Sequence, residues 1–103
     1  MGLYNPPPVA LEQPKANTAS HYAINAATTS TALLAVNLDR LGATLFNNST
    51  ARLYVKLGAT ATTTDFTFPL EPNGYYEVPF GYTGSIAGVW AAVNGNALIS
   101  EFL

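Results

Sequence analysis

The sequence points to an all-β protein, a small antiparallel β-sandwich or jelly-roll-like domain of six to eight strands with an extended N-terminal arm. Three observations support this. Short stretches of strictly alternating apolar and polar residues recur after residue 27. Turn-forming residues separate them at intervals of about ten residues, the rhythm of a sandwich. The composition changes near residue 27, with four of the seven prolines before it (Pro6, Pro7, Pro8 and Pro14). The division is therefore a proline-rich arm, 1–26, and a β-sandwich domain, 27–103.

Three consecutive prolines favour an extended polyproline stretch and forbid a helix. The arm also carries Leu3, Tyr4, Val9, Leu11, Tyr22 and Ile24, apolar side chains suited to gripping a neighbouring subunit. Thr28–Thr31 is β-prone, and Gly42 provides a stop. Leu34, Leu38 and Leu41 also fit a helical stripe, so a strand with a turn is expected and a helical turn is the alternative. Ala43–Phe46 and Ala51–Leu57 read as a hairpin joined by Asn47–Thr50. Within the second strand Ala51, Leu53, Val55 and Leu57 share one face, and Arg52, Tyr54 and Lys56 share the other.

Phe66–Leu70 alternates again, and Pro69, which donates no ladder bond, marks an edge or a bulge. Glu71-Pro72-Asn73-Gly74 is a turn with glycine available for a positive φ. Tyr75–Val78 is the next strand, and Pro79–Gly84 a loop. Ser85–Ala91 is apolar on both faces and reads as central. Asn94-Gly95 is a strong hairpin signal, leading into Ala97–Leu103.

Of the 103 residues, 49% are hydrophobic and only 10% charged, with a net charge of −2. That balance excludes a basic footprint for nucleic acid and disorder of the whole chain. The absence of cysteine excludes disulfides, a thiolate nucleophile and cysteine-held metals. No window reaches the ~18 apolar residues of a membrane span. Met1–Pro8 shows neither a basic n-region nor an apolar h-region, so an unprocessed protein made in the cytoplasm is expected.

Chemistry-bearing residues are sparse. His21, the single histidine, has no nucleophile or second ligand to work with and reads as solvated or packed. Glu71 and Glu77 flank one turn, where they can approach each other, but solubility explains them better than a glycosidase pair. Asp65 and its threonines do not amount to a calcium site. Gly81, Gly84 and Gly88 sit between strands without a following helix or lysine, so turns and close packing account for them. The Asn47 and Asn48 sequons read as turn residues. No catalytic, cofactor or metal site is expected, and the chain does not read as an enzyme.

Aromatic residues are the richest feature. Tyr75, Tyr76, Phe80, Tyr82 and Trp90 lie close together, and Tyr54 lies on the polar face of its strand. Phe80 and Trp90 read as core. Tyr75 and Tyr76 must point to opposite faces, so one of them is outward. Tyr54, Tyr75, Tyr76 and Tyr82 are the candidates for an aromatic binding surface, and a protein interface suits them better than a glycan platform. Charge is uneven: residues 1–56 hold four basic and two acidic side chains, residues 57–103 four acidic and none basic. Opposite ends making different contacts is the expectation.

From about Thr31 onward the chain resembles small proteins encoded among tailed-phage and prophage structural genes. The resemblance rests on Asn37-Leu38-Asp39-Arg40, Ala43 to Phe46, Ala51 to Leu57, Gly74 to Pro79, Tyr82-Thr83-Gly84 and Val89-Trp90, covering roughly seven-tenths of the chain. It implies a non-enzymatic virion protein, with capsid cement or decoration as the best-fitting role. Such proteins are typically small β-rich trimers on the outer capsid surface, in contact with the major capsid protein. Size argues independently for assembly, because a domain of about 77 residues rarely draws more than ~3–5 kcal/mol from one core and needs a further staple. The expectation is a homotrimer with interlocked arms, bound to capsid but not to nucleic acid or membrane, and without a cofactor. The alternatives are a carbohydrate- or receptor-binding module of a phage tail and a connector subunit of the tail or neck.

Overall fold

The computed structural model describes residues 15–103, and these form strands and loops with no helix. The strands are β1 (Ala19–Asn25), β2 (Thr31–Leu34), β3 (Gly42–Asn48), β4 (Leu53–Lys56), β5 (Phe68–Leu70), β6 (Tyr75–Val78), β7 (Ile86–Trp90) and β8 (Asn96–Phe102). They make two four-stranded antiparallel sheets, a front sheet ordered β1-β8-β3-β6 and a back sheet ordered β2-β7-β4-β5. β1 pairs with β8, β2 with β7, β3 with β6 and β4 with β5. This is a ribbon folded at the β4–β5 tip and wound around a core, the jelly-roll pattern.

Alternation decides what enters the core. Ala43, Leu45 and Asn47 of β3, Leu53 and Val55 of β4, and Ala97, Ile99 and Glu101 of β8 are buried, while their neighbours are not. β7 is buried at every position because it is central and covered on both sides. Ile86 and Trp90 face the sandwich core. Ala87 and Val89 pack under Ala61 and Tyr54, so the β4–β5 loop covers the outer face of the back sheet. Gly88 fits because a Cβ there would stand 2.8 Å from Leu53 Cδ1 and 2.9 Å from Leu33 Cδ1. β5, with Pro69, is an edge strand, as the missing N–H requires.

Several sequence expectations are corrected. Asn47–Thr50 does not close a hairpin: it carries the chain from β3 in the front sheet to β4 in the back sheet, and Asn94-Gly95 likewise carries β7 across to β8. Turn chemistry specifies a change of direction, not which sheet receives the returning strand. Asn47 is buried and anchors the crossing. Its Nδ2 donates to the carbonyls of Ala51 and Leu70, both at 2.8 Å, and its Oδ1 accepts from Trp90 Nε1 at 3.2 Å. In the 71–74 turn the positive φ, 62°, belongs to Asn73. Gly74 is needed for close approach, since its Cβ would lie 2.7 Å from the Glu71 carbonyl oxygen. The segment after β2 is a turn, not the helical alternative.

Part of the stretch expected as arm is instead strand. β1 pairs along its whole length with β8, from Ala19 opposite Phe102 to Asn25 opposite Asn96. Ser20, Tyr22 and Ile24 alternate inward there, a period of two overshadowed in the sequence by the prolines upstream. Leu3, Tyr4, Val9 and Leu11 lie outside the described residues.

Candidate functional site

The two sheets differ on their outer faces. The back sheet is covered by the β4–β5 loop, where Tyr54 meets Phe66 edge-on with centroids 4.9 Å apart. No described segment covers the front sheet. Its outward residues follow from the buried ones: with Ala97, Ile99 and Glu101 inward, Leu98, Ser100 and Phe102 face out.

Strand register arranges this face in rows. Ala23, Leu98, Phe46 and Tyr75 are successive cross-strand partners, forming an apolar row across all four strands. Beside it runs a polar row of His21, Ser100, Thr44 and Glu77, tied by His21 Nδ1 and Ser100 Oγ at 2.9 Å. Beyond that Ala19, Phe102 and Gly42 align, and Phe80 lines a shallow cleft with Gly42 and Phe102. Leu98 is 43% exposed, Tyr75 58% and Phe80 62%. Phe80, expected in the core, therefore stands outside it, carried there by the loop after Pro79.

The four candidate tyrosines separate. Tyr75 is open on the front face, its hydroxyl donating to Glu77 Oε1 at 3.2 Å. Desolvation first, then this bond, pushes its phenol above the usual value. Tyr76 faces the other way, as alternation requires, and stacks on Phe68 at 3.9 Å. Tyr82 packs against the core, with its hydroxyl donating to the Ser85 carbonyl at 2.8 Å. Tyr54 is half-buried under the back-sheet loop. These four rings do not form one platform. Phe46, Leu98 and Phe102 were not singled out from sequence, although their alternation with inward residues was legible.

A second feature lies at the sandwich edge, between β1 and β2. A cleft of about 320 Å³ is lined by Tyr22, Ile24, Leu33, Leu34 and Val36. Glu101 also lines it, in a buried ion pair with Arg40 whose Nε–Oε2 distance is 2.8 Å. The guanidinium also donates to the carbonyls of Tyr82, Gly84 and Ala35. Tyr22 donates its hydroxyl to Glu101 Oε1 at 3.4 Å. Sequence reading missed this pair, though Glu101 follows Ala97 and Ile99 in an inward alternation.

Two further ion pairs lie on the surface. Arg52 binds Glu71 at 2.7 Å, and Lys56 binds Asp65 at 2.7 Å. Hydrogen-bonded to Tyr54 and beside Glu71, Arg52 is held above its ordinary pKa. Each of the three ion pairs among the described residues joins a base from residues 1–56 to an acid from 57–103. Much of the uneven charge along the chain is therefore brought together as pairs by the fold. Glu71 and Glu77 have separate partners, Arg52 and Tyr75. Comparison with protein-family models, with curated proteins and with solved structures finds no match.

Proposed function

We propose that the chain is a non-enzymatic virion structural protein, a capsid cement or decoration protein that self-associates and lays the open front sheet against the major capsid protein on the outer capsid surface. The apolar row Ala23–Leu98–Phe46–Tyr75, which no described segment covers, carries this reading. A sheet face with aromatic and aliphatic rows beside a polar row has the composition of a protein interface. Two further supports are the resemblance of residues 31–103 to tailed-phage structural proteins and the jelly-roll winding, an architecture found among viral capsid domains. The second is an analogy of fold alone.

Copy number in purified particles is the direct test. A cement protein is abundant, whereas a tail or neck connector is present in a single ring. Binding to capsids stripped of this protein isolates the surface. Leu98→Glu and Phe80→Glu, both on exposed side chains, are expected to fold normally. Each should weaken capsid binding more than about tenfold, the effect of losing an apolar anchor at an interface. Unchanged capsid binding by both variants rules out the front face as the contact.

A further inference from the structure

The four sheet edges are not alike. β5 is three residues long and contains Pro69; β6 is four residues long, carries Glu77 and is followed by Pro79. β2 is also four residues long, and its register slips between Ala32 and Leu34. Shortness, proline, charge and irregularity are the devices that stop an edge from recruiting another strand. β1 has none of them. It is seven residues long, regular throughout, and contains no proline and no Asp, Glu, Lys or Arg. Among the described residues its only strand partner is β8.

The ladder tells which backbone groups β1 leaves open. Thr18 and Leu103 exchange both hydrogen bonds, at 3.0 and 2.9 Å, and Ala26 N donates to the Gly95 carbonyl at 3.0 Å. In an antiparallel ladder these pairs alternate, so Ser20, Tyr22 and Ile24 are bonded to β8. Ala19, His21, Ala23 and Asn25 turn their N–H and C=O groups to the free edge. The open groups therefore begin on the first residue of the strand and end on the last.

We infer that this edge pairs with β1 of a second copy, antiparallel, about a two-fold axis through Tyr22. Ala19 then lies opposite Asn25 of the other copy, and His21 opposite Ala23, so that all eight open positions of the two strands are bonded. A register shift of one residue breaks the alternation, and a shift of two, which moves the axis by one residue, leaves open groups at the ends. The two Tyr22 side chains meet as a non-hydrogen-bonded pair, the closer kind of cross-strand contact. Tyr22 is 42% exposed in the single chain, and the pairing covers it. No like charges face each other, and the contact is self-complementary, as a two-fold interface requires. The front sheets join into one continuous eight-stranded surface, with the apolar rows of both copies on the same side. This two-fold pairing departs from the three-fold arrangement suggested by the family resemblance, and it does not depend on the capsid reading.

The test is the mass of the full chain in solution, by analytical ultracentrifugation over a concentration series, with amide hydrogen exchange. A dimer is expected, with Ala19, His21, Ala23 and Asn25 amides protected in step with dimer formation. Ala23→Pro removes an N–H that faces the edge and spares the β8 ladder, so the variant should keep its far-ultraviolet spectrum and become monomeric. Tyr22→Lys sets like charges opposite each other and should weaken the dimer at least about tenfold, with salt restoring part of it. A monomeric wild-type chain, a trimer, or a dimer that survives Ala23→Pro overturns the pairing. Copy number on the particle is a separate readout, so failure of the capsid reading is distinguishable from failure of this one.

Discussion

Arg40 shows how one residue can hold several loops. It is 1% exposed, and its guanidinium joins β8 through Glu101 to the loops carrying Ala35, Tyr82 and Gly84. Removing one member of a buried pair strands the other charge, which costs about 3–5 kcal/mol. Glu101→Leu is therefore expected to lower unfolding stability by that amount in urea titrations. In a double-mutant cycle Arg40→Met with Glu101→Leu should lose less than the sum of the single changes, because no charge remains stranded. Three loop carbonyls still lack their donor, so the double variant stays below wild type. Every buried polar side-chain atom among the described residues has a partner, which is why a single deletion here is felt.

At the scale of elements, strand positions were largely legible, and connections were not. The alternation of Ala51, Leu53 and Val55 and the doubly apolar run Ser85–Ala91 correspond to β4 and to the central β7. The loop after β3 and the loop after β7 looked like hairpin turns but pass between sheets. They are bound together: Asn94 Oδ1 accepts from Thr50 N at 2.9 Å and from Thr50 Oγ1 at 3.0 Å. Gly95 adopts φ 68°, and a Cβ there would lie 2.3 Å from the Asn48 carbonyl oxygen. Gly95→Ala is expected to cost about 1–3 kcal/mol through left-handed strain and crowding. Thermal unfolding measures it, at about 4–8 °C per kcal/mol for a domain of this size. The front-face rows were half legible in the same way: alternation marks Leu98 and Phe46 as outward, but only register places them side by side.

For the whole molecule, the winding joins the two ends of the described chain, with Ala19 paired to Phe102. Such distant pairing must overcome loop-closure entropy before contacts compensate it, so folding is expected in the millisecond-to-second range. Stopped-flow refolding followed by Trp90 fluorescence measures this, and microsecond folding would contradict it. By itself the sequence determined the all-β class, the approximate strand positions and which face of each strand is apolar, because period-two patterning and turn residues act locally. Tertiary structure alone decided which strands are neighbours, which acids pair with which bases, and which outer face the β4–β5 loop covers. Those outcomes depend on contacts between residues far apart in the chain. The winding that brings the acidic half onto the basic half covers one sheet with a loop, while no described segment covers the other.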